Sequence, residues 1–491
     1  MKHRTLIVGA AAFLLLLILV LFLIHEGPEG TAPARAKYVI IMLGDGMGAK
    51  QTEAAERYFC RPAPFAAWPH AWEATYPAGG GYDPVRAWSE SGYILENPTD
   101  SAAAATALFT GIRTSNGRIC VTADGTKRLT SISEKARRRG MAAGAVTSTE
   151  ISDATPGAWM AHNDARRNGF AIGDEGLWGE PNATGSVEDS PYYGGGHGPS
   201  RPPLDVLIGS GHPRWAHGHS VNWAMRDKLF GESGQTGAFH FSERQDGRKD
   251  AGLRLRTLAR QPYVTRLAGL FGGFEGVIKS RLADGSGSDP EDPTLADMTR
   301  AALDVLGRNP SGFVLLVEGG GIDLACHDGN MGRLLGEVAG FHEAVEEVVS
   351  WVDDPSNDST WNNTLVLVLA DHESGLLTAG PSVFSDKPLE SVDSRTLALE
   401  KAVAGTELRA SWEDGDRNDR IDSGEKVYWA WNTTGHSNSL VPLYARGPGE
   451  EWLPLLGAGQ DPVRGAYMQN TEVFGLIETV LGEPARPARA R

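Results

Sequence analysis

Three continuous apolar runs stand out along the chain, and acidic or glycine residues follow each of them directly. The runs are Tyr38–Leu43, Phe313–Val317 and Thr364–Ala370. Apolar runs of this length, without alternation, are typical of strands buried on both faces of a parallel sheet. Helical stretches lie between them, at Ser101–Phe109, Ile132–Arg139, Leu295–Leu306 and Met331–Val352. The alternation predicts an α/β fold with a large, mostly parallel central sheet and helices on both faces.

Two regions interrupt this alternation. Residues 171–250 are rich in Gly, Pro, His and Trp, and we expect them to form a long surface excursion rather than core. Residues 373–431 form a second excursion before the strand-like segment Leu440–Ala445 resumes the sheet. Length alone suggests about three domains at roughly 150 residues each. The pattern instead predicts one large domain at 36–485 with two excursions, followed by a basic tail at 486–491.

The N-terminal 35 residues are different in character from the rest. Leu6–Ile24 is a run of 19 residues without a polar side chain, preceded by Lys2 and Arg4. A helix of that length spans about 28 Å, close to the roughly 30 Å of a bilayer core. The run therefore predicts a signal anchor, although a cleaved signal peptide ending near Ala32–Ala34 stays open. Either way, residues 36–491 are expected outside the cytoplasm, in a periplasmic or extracellular compartment.

The charge balance excludes one class of binding partner. The chain has 46 Lys and Arg against 62 Asp and Glu, a formal charge of −16. This excess argues against binding nucleic-acid polymers, which are held by clustered basic residues. Three cysteines exclude a disulfide lattice and a four-cysteine zinc module, although an oxidising compartment would allow Cys60 and Cys120 to pair.

Much of the acidic and histidine content falls at predicted strand ends. Asp45 interrupts Gly44–Gly48, whose G-x-G-x-G spacing is not that of a dinucleotide fingerprint. Asp371 and His372 directly follow the strand Thr364–Ala370, and Glu318 follows Phe313–Val317. Since ligands of such sheets bind beyond the carboxyl ends of the strands, we expect these side chains to converge.

Two further positions extend the same pattern. Asp323 and His327 are four residues apart, which places both on one face of a helical turn. His436 precedes another predicted strand. Carboxylates and imidazoles together suit zinc, and so many acids at one edge would repel each other without cations. The sequence therefore predicts a metal centre.

Ser101 begins an alanine-rich helix directly after Asp100. The pair is typical of a helix N-cap, where backbone N–H groups create positive potential. That potential also favours an alkoxide and a bound phosphate. A nucleophilic serine needs an activator, and a metal ion would serve.

Six motifs occur in the order seen in alkaline phosphatases. They are GDGMG, DSAAAATAL, DATPGAWMAH with Arg166, LVEGGGID with His327, ADHESG and TGHSNSLVPLYARGPG. The chain resembles that family over nearly all of residues 37–480, more weakly inside the two excursions. The resemblance implies hydrolysis of small phosphate monoesters through a phosphoserine at Ser101, at a site with two Zn²⁺ and one Mg²⁺. A homodimer is the assembly it suggests.

The resemblance also assigns ligands. It implies a first zinc at Asp323, His327 and His436, and a second zinc at Asp45, Asp371 and His372. It implies magnesium at Asp45, Thr155 and Glu318, with Asp153 contacting a metal-bound water. Arg166 would hold two phosphate oxygens through its guanidinium fork. The chain departs from the family at Leu324, where Lys, His or Trp is common, which leaves phosphate affinity and third-metal preference open.

A second metal signal lies in the later excursion. Residues 414–425 match the twelve-residue EF-hand calcium loop at most ligand positions, with Asp419 where a glycine is usual. The candidate Ca²⁺-binding positions are Asp414, Asp416, Asn418, Arg420, Asp422 and Glu425. The alternative is an acidic solvated loop.

Two other functions remain as alternatives. A phosphodiesterase or sulfatase of the same superfamily usually has Thr or a modified Cys as nucleophile, and Ser101 disfavours it. A catalytically silent, calcium-dependent surface protein would keep the fold without the chemistry. The intact set of predicted metal ligands argues against this second alternative.

Overall fold

The computed structural model describes most of the chain. The described residues are 35–90, 92–186, 201–215, 221–272, 277–278, 282–283, 285–379, 401–402, 409–412 and 427–482. The predicted segment Leu6–Ile24, the predicted calcium loop Asp414–Glu425 and the basic tail lie outside them. Within the described part, no helix combines the length and the apolar character that crossing a membrane requires.

Seventeen strands and twelve α-helices are present in these described residues. The strands are β1 Tyr38–Gly44, β2 His70–Ala74, β3 Ala142–Glu150, β4 Val206–Ser210, β5 His240–Glu243, β6 Leu267–Phe271, β7 Phe313–Gly319, β8 Thr364–Leu369, β9 Glu373–Ser374, β10 Thr378–Ala379, β11 Lys401–Ala402, β12 Arg409–Trp412, β13 Val427–Ala430, β14 His436–Ser437, β15 Val441–Arg446, β16 Gly459–Asp461 and β17 Gly465–Gln469. The helices are α1 Ala49–Phe59, α2 Arg86–Ser89, α3 Ser101–Thr110, α4 Ile132–Arg138, α5 Ala154–Met160, α6 Gly169–Trp178, α7 Trp223–Glu232, α8 Ala251–Ala259, α9 Leu295–Leu306, α10 Gly321–His327, α11 Met331–Val352 and α12 Thr471–Val480, with short 3-10 turns at Tyr93–Leu95 and Glu450–Leu455. All four predicted helices and all four predicted strands are therefore confirmed.

An eleven-stranded sheet forms the centre of the fold, in the order β16-β17-β2-β15-β8-β1-β7-β3-β4-β6-β5. The run from β8 to β5 is parallel throughout, and β15 joins β8 in antiparallel orientation. A four-stranded antiparallel sheet (β10-β13-β12-β11) and the two-stranded β14-β9 ribbon are separate from it. The predicted fold class is confirmed.

The alternating faces of β1 explain its continuous apolar sequence. Val39, Ile41 and Leu43 pack into a core with α3, α4, α5, α6, α7 and α12. Tyr38, Ile40 and Met42 pack into the opposite core with α1, α8, α9 and α11. Because helices cover both faces, every side chain of the strand is buried, and no polar residue is tolerated until the strand ends.

The prediction for residues 171–250 was wrong in its main point. β4 is fully buried between β3 and β6, and α6 is buried along almost its whole length. A five-residue strand flanked by Pro and Gly gives little periodic signal, so the composition of its surroundings concealed it. In the second excursion, β9 pairs with β14 beside the predicted metal ligands, so this segment also contributes to the site.

None of the three described cysteines forms a disulfide bond. Cys60 is exposed at the end of α1, whereas Cys120 is buried with its Sγ against the Ala158 carbonyl. The pairing of Cys60 with Cys120 that the compartment would have allowed is therefore absent.

Candidate active site

The register of the central strands brings the predicted acids to one edge of the sheet. Leu43 of β1 lies opposite Glu318 of β7 on one side and Leu369 of β8 on the other. Asp45 and Asp371 each come two residues after those paired positions. Three carboxylates from distant parts of the sequence therefore meet at the carboxyl ends of adjacent parallel strands, where such sheets bind ligands.

Ser101 is the first residue of α3 and is buried. Asp100 caps the helix, its Oδ1 accepting a hydrogen bond from the Ala103 amide at 2.9 Å. The Ser101 Oγ points toward His372, with 3.2 Å between Oγ and Nε2. The serine thus lies in the positive potential of a helix N-terminus and beside the carboxylates of the sheet edge.

One group of potential ligands consists of Asp323, His327 and His436. Their ligand atoms all lie within 4.8 Å of one another. The Nδ1 atoms of His327 and His436 donate to the carbonyl oxygens of Thr434 and Thr99, at 2.5 and 2.8 Å. Those bonds leave each Nε2 as the ligand atom, and the two Nε2 atoms face each other at 3.2 Å.

A second group consists of Asp45, Asp323 and His372, again within 4.8 Å. His372 is fully buried, and its Nε2 lies 3.2 Å from Asp371 Oδ2 and 3.5 Å from Asp45 Oδ1. Its Nδ1 lies 3.3 Å from Ser374 Oγ, which in turn donates to Asp323. Asp323 therefore lies between the two groups, and Asp371, which the sequence analysis placed in the second group, lies next to it.

The third predicted group is centred on Glu318. Its carboxylate is buried, and the hydroxyls of Thr147 and Thr149 donate to its Oε2. Burial, and then the charge of Asp153, raises the pKa of Glu318 to about 7, an effect partly opposed by nearby hydroxyls that include Thr155. The structure thus places Asp153, Thr155 and Glu318 together as an oxygen-only group.

Arg166 reaches the site from the segment after α5. Its guanidinium donates to Asp100 Oδ2 at 3.3 Å and to Asp153 Oδ1 at 3.0 Å. Its backbone amide bonds to the Gly117 carbonyl at 2.7 Å, which fixes the segment. Burial lowers the pKa of Arg166, but Asp153 and Asp100 outweigh it and raise that pKa above its usual value. The side chain is therefore oriented and charged before any anion arrives.

The electrostatics of the sheet edge call for cations. Burial, and then the charges of neighbouring carboxylates, raise the pKa of Asp45 well above its ordinary value and that of Asp371 to about 8. Asp45 Oδ1 and Asp371 Oδ2 are buried with no hydrogen-bond partner. Buried carboxylate oxygens are expensive unless they are paired or coordinate metal. This donor set of carboxylates and imidazoles fits zinc.

The histidines differ in charge for local reasons. The hydrogen bond to Asp323 raises the pKa of His327 to about 9, whereas burial and the charge of His436 lower the pKa of His372 well below its usual value. Burial alone would raise the pKa of Asp323, but the bond to His327 lowers it. His372 is therefore neutral and keeps a lone pair on Nε2.

A cavity of about 200 Å³ opens onto these groups. Its walls include residues from each of the three groups as well as the serine and the arginine: Asp45, Ser101, Thr149, Asp153, Arg166, Gly320, Asp323, Leu324, His327 and His436. Arg166 is the one Lys or Arg among these wall residues. Leu324 adds an apolar side chain where the resembled family commonly has a basic or aromatic one. A cavity of this volume can hold a small anion and part of the group attached to it, but not a polymer.

Several supporting residues escaped the sequence analysis. Glu373 is buried and accepts hydrogen bonds from Gln51 Nε2 at 2.8 Å, from Ser437 Oγ at 2.5 Å and from two backbone amides. It thereby ties β9 to β14, which carries His436. The sequence signal that could have found them is position, because Glu373 directly follows His372 and Ser437 directly follows His436.

Gly46 shows how tightly the site is built. Its φ is +66°, and a Cβ there would lie 2.8 Å from Asp323 Oδ1 and 2.7 Å from Ser374 Oγ. Only glycine accommodates both the left-handed backbone and this close approach. The glycine-rich turn after β1 therefore lets Asp45 approach Asp323.

A serine at a helix N-terminus, a nearby arginine, and carboxylates and imidazoles that converge at the edge of an α/β sheet are the groups that a metal-dependent hydrolase of phosphate esters requires. The comparisons with known proteins agree. The family model described as alkaline phosphatase matches residues 36–481, and the chain belongs to the alkaline phosphatase family. It is a phosphatase by family.

Two curated relatives illustrate the range of that family. The chain is 28% identical to alkaline phosphatase 3 of Bacillus subtilis, over 89% of this chain and 87% of the relative. It is also 28% identical to the streptomycin-6-phosphate phosphatase of Streptomyces griseus, over 92% of each chain.

Solved structures show the same fold. The alkaline phosphatase of the Antarctic bacterium TAB5 matches with a TM-score of 0.58 and 21% identity, over 91% of this chain and 98% of that one. The cold-active alkaline phosphatase of Shewanella sp. matches with a TM-score of 0.58 and 24% identity, over 91% of this chain and 100% of that one.

Proposed function

We propose that the protein hydrolyses small phosphate monoesters through a phosphoserine on Ser101. The observation that carries this proposal is the 3.2 Å approach of Ser101 Oγ to His372 Nε2. It occurs at a helix N-terminus, within a cavity that Arg166 also lines. The chemistry needs a nucleophile, an anion clamp and a way to neutralise the surrounding acids, and the described residues supply the first two.

The donor sets favour two zinc ions and one magnesium ion as the cofactors. Asp323, His327 and His436 would hold one zinc, and Asp45, Asp371 and His372 the other. Asp45, Thr155 and Glu318 offer only oxygens, which suits magnesium, and Asp153 would contact it through water. A solved variant of the TAB5 phosphatase has Mg bound in its M3 site. When bound, such ions would lower the serine pKa and stabilise the charge on the entering and leaving oxygens.

The chain's own groups account for the remaining steps. The guanidinium of Arg166 would donate two hydrogen bonds to nonbridging phosphate oxygens, which orients phosphorus toward Ser101 Oγ. Oγ loses its proton and forms a bond to phosphorus as the bond to the alcohol oxygen breaks, and that oxygen takes up a proton from solvent and leaves as the alcohol. The N-terminal amides of α3 favour the resulting phosphoserine. Water then cleaves the O–P bond, releasing inorganic phosphate and restoring the Ser101 hydroxyl.

The test is hydrolysis of a chromogenic phosphate monoester by the purified protein at alkaline pH. Wild type, an EDTA-treated sample, the same sample with zinc and magnesium restored, and Ser101→Ala are assayed side by side. We expect activity in wild type, loss on chelation, recovery on metal addition and loss by a factor of about 10³ or more in Ser101→Ala.

A matched control is Ser133→Ala, which removes a buried hydroxyl in α4, outside the cavity lining. It is expected to keep wild-type activity. Activity that survives both chelation and Ser101→Ala would overturn the proposal. Faster hydrolysis of a phosphate diester or a sulfate ester than of the monoester would favour the alternative hydrolase classes.

The predicted export, membrane attachment, calcium loop and homodimer stay predictions, because the residues or contacts they require are not described. For the calcium loop, a rise in melting temperature with Ca²⁺ that is absent in Glu425→Ala would support binding at residues 414–425. An equal response in both proteins would contradict it.

A further inference from the structure

Two threonines of β3 hold the carboxylate at the centre of the oxygen-only group. The Thr147 hydroxyl donates to Glu318 Oε2, and the Thr149 hydroxyl lies 3.3 Å from the same oxygen. The two hydroxyl oxygens are 2.8 Å apart, and the Thr149 amide donates to Thr147 Oγ1 at 3.0 Å. Strand register explains the pairing, because Thr147 lies directly opposite Glu318 in the neighbouring strand β7.

The two threonines differ in their access to the cavity. Thr147 is fully buried in the strand, whereas Thr149 lines the cavity itself. The Thr149 methyl packs against Gly320, where an added Cβ would come within 2.5 Å of Thr149 Cγ2. A β-branched side chain has few χ1 rotamers, so this contact fixes the direction of the hydroxyl.

We propose that Thr147 and Thr149 are positioning residues that occupy Glu318 Oε2 and thereby present Oε1 to a hard divalent cation. Both hydroxyls reach the same oxygen, so the carboxylate cannot rotate to offer both oxygens without losing two hydrogen bonds. Glu318 therefore binds through one oxygen. Magnesium demands near-ideal octahedral geometry and tolerates little displacement of its ligands.

This inference rests on the proposed function, since the cation is the magnesium assigned above. Its test measures metal binding rather than turnover. Mg²⁺ is titrated calorimetrically into zinc-loaded full-length protein, and zinc and magnesium are counted by mass spectrometry after dialysis. Thr149→Val keeps the side-chain shape but removes the hydroxyl, and Thr147→Val does the same inside the strand.

We expect Mg²⁺ affinity to fall about 10- to 100-fold in either variant, the usual effect of losing an outer-shell partner. Zinc content should stay at the wild-type level, which a general loss of folding would not allow. Thr149→Ser restores the hydroxyl and is expected to regain most of the affinity. Thr299→Val removes a buried hydroxyl that bonds within α9, at 2.8 Å from the Leu295 carbonyl, and should change neither metal.

Wild-type Mg²⁺ affinity in a folded Thr149→Val or Thr147→Val protein overturns the inference and leaves the proposed function intact. An equal loss in Thr299→Val also overturns it, because the effect would then be nonspecific. A wild-type protein that is inactive and binds neither metal overturns the proposed function itself.

Discussion

Two clusters of charged residues lie at the same edge of the central sheet, and they differ in whether their acidic side chains are paired with basic ones. At the ends of β1, β7 and β8, buried carboxylates face other carboxylates, and neighbouring acids raise the pKa of both Asp45 and Asp371. At the ends of β4 and β5, Glu243 accepts hydrogen bonds from Arg226 at 2.5 and 2.8 Å and from His212 at 3.1 Å.

The cluster around Glu243, which we call the outer cluster, pairs its acids with Arg and His side chains and needs no ligand to do so. Although burial opposes it, the bonds from His212 and Arg226 lower the pKa of Glu243 to about 2. The next residue, Arg244, contacts Asp289 at 2.6 Å, Glu291 at 2.9 Å and Asp292 at 2.5 Å. Acids at a strand end are therefore not sufficient evidence of a metal site. What marks the central cluster is that the protein leaves its acids without enough cations.

The largest expected difference between the two clusters is in catalysis. Asp371→Asn removes a predicted metal ligand and should lower phosphate monoester hydrolysis by at least about 10²-fold, more than the loss of an outer-shell partner costs. Glu243→Gln should change the rate less than about twofold. Steady-state kinetics with both variants at equal metal concentration measure the contrast. Equal losses would mean that the clusters are not functionally distinct.

The next effect is on stability, and it concerns the outer cluster. Glu243→Gln should lower the free energy of unfolding by about 2 kcal/mol at pH 7, because Arg226 loses a charged partner in a half-buried site. Since the folded pKa is depressed to about 2, this stabilisation is present above the unfolded pKa of about 4.3 and is lost as pH falls.

Urea unfolding at pH 7 and pH 3 measures this difference, and the gap between wild type and Glu243→Gln should shrink at pH 3. The control is Glu90→Gln, which breaks an exposed pair with Arg86 at 2.8 Å and should leave the free energy of unfolding nearly unchanged, because solvent screens that pair. A gap that is unchanged at pH 3 would contradict the assignment of the shift to charge pairing.

The third expected effect, somewhat smaller, is also on stability and concerns a buried acid that is unpaired but lies outside the candidate site. Glu73 in β2 is fully buried, neither of its carboxylate oxygens has a hydrogen-bond partner, and it does not line the cavity. Burial, followed by the charge of Glu472, raises its pKa well above the ordinary value. The folded state therefore favours protonated Glu73, and its stability declines as pH rises above about 4.3.

Glu73→Gln should therefore raise the free energy of unfolding by about 1–2 kcal/mol at pH 8, with little difference at pH 4. Activity should be unchanged, because a single unpaired acid does not make a metal site. Denaturant unfolding at the two pH values, together with the phosphatase assay, tests both halves. A loss of activity would extend the functional region to β2.

The smallest expected effect is a gain in the free energy of unfolding, whereas substitution of a site residue usually lowers it. In EDTA-treated protein at pH 9, Asp45→Asn should raise the free energy of unfolding by about 1 kcal/mol, because it removes one of several buried, mutually repelling carboxylates. With metals restored, the same variant should be less stable than wild type, because a ligand is lost. Thermal unfolding with and without metal gives the two signs. Destabilisation in both conditions would mean that the acids do not strain the metal-free site.

The two clusters also show how far the sequence alone could predict this site. Asp45, Glu318 and Asp371 were predicted because they stand at the carboxyl ends of long apolar runs, whose length and composition are typical of strands in a parallel sheet. Glu243 is the last residue of a four-residue strand with little pattern, and its partners Arg226 and His212 belong to other segments of the chain. The threonines around Glu318 were missed for a similar reason, since hydrogen bonds between adjacent strands depend on register rather than on local composition.

The sequence by itself determined the buried parallel strands, the helices between them, the serine at a helix start and the family to which the chain belongs. These follow from local periodicity and from short ordered motifs. Only the tertiary structure decided which acids are paired with arginine, that Asp323 lies between two groups of ligands, and that residues 171–250 contribute a central strand. The physical reason is that charge pairing and burial are properties of neighbours in space, and the local sequence around a residue does not specify which neighbours those are.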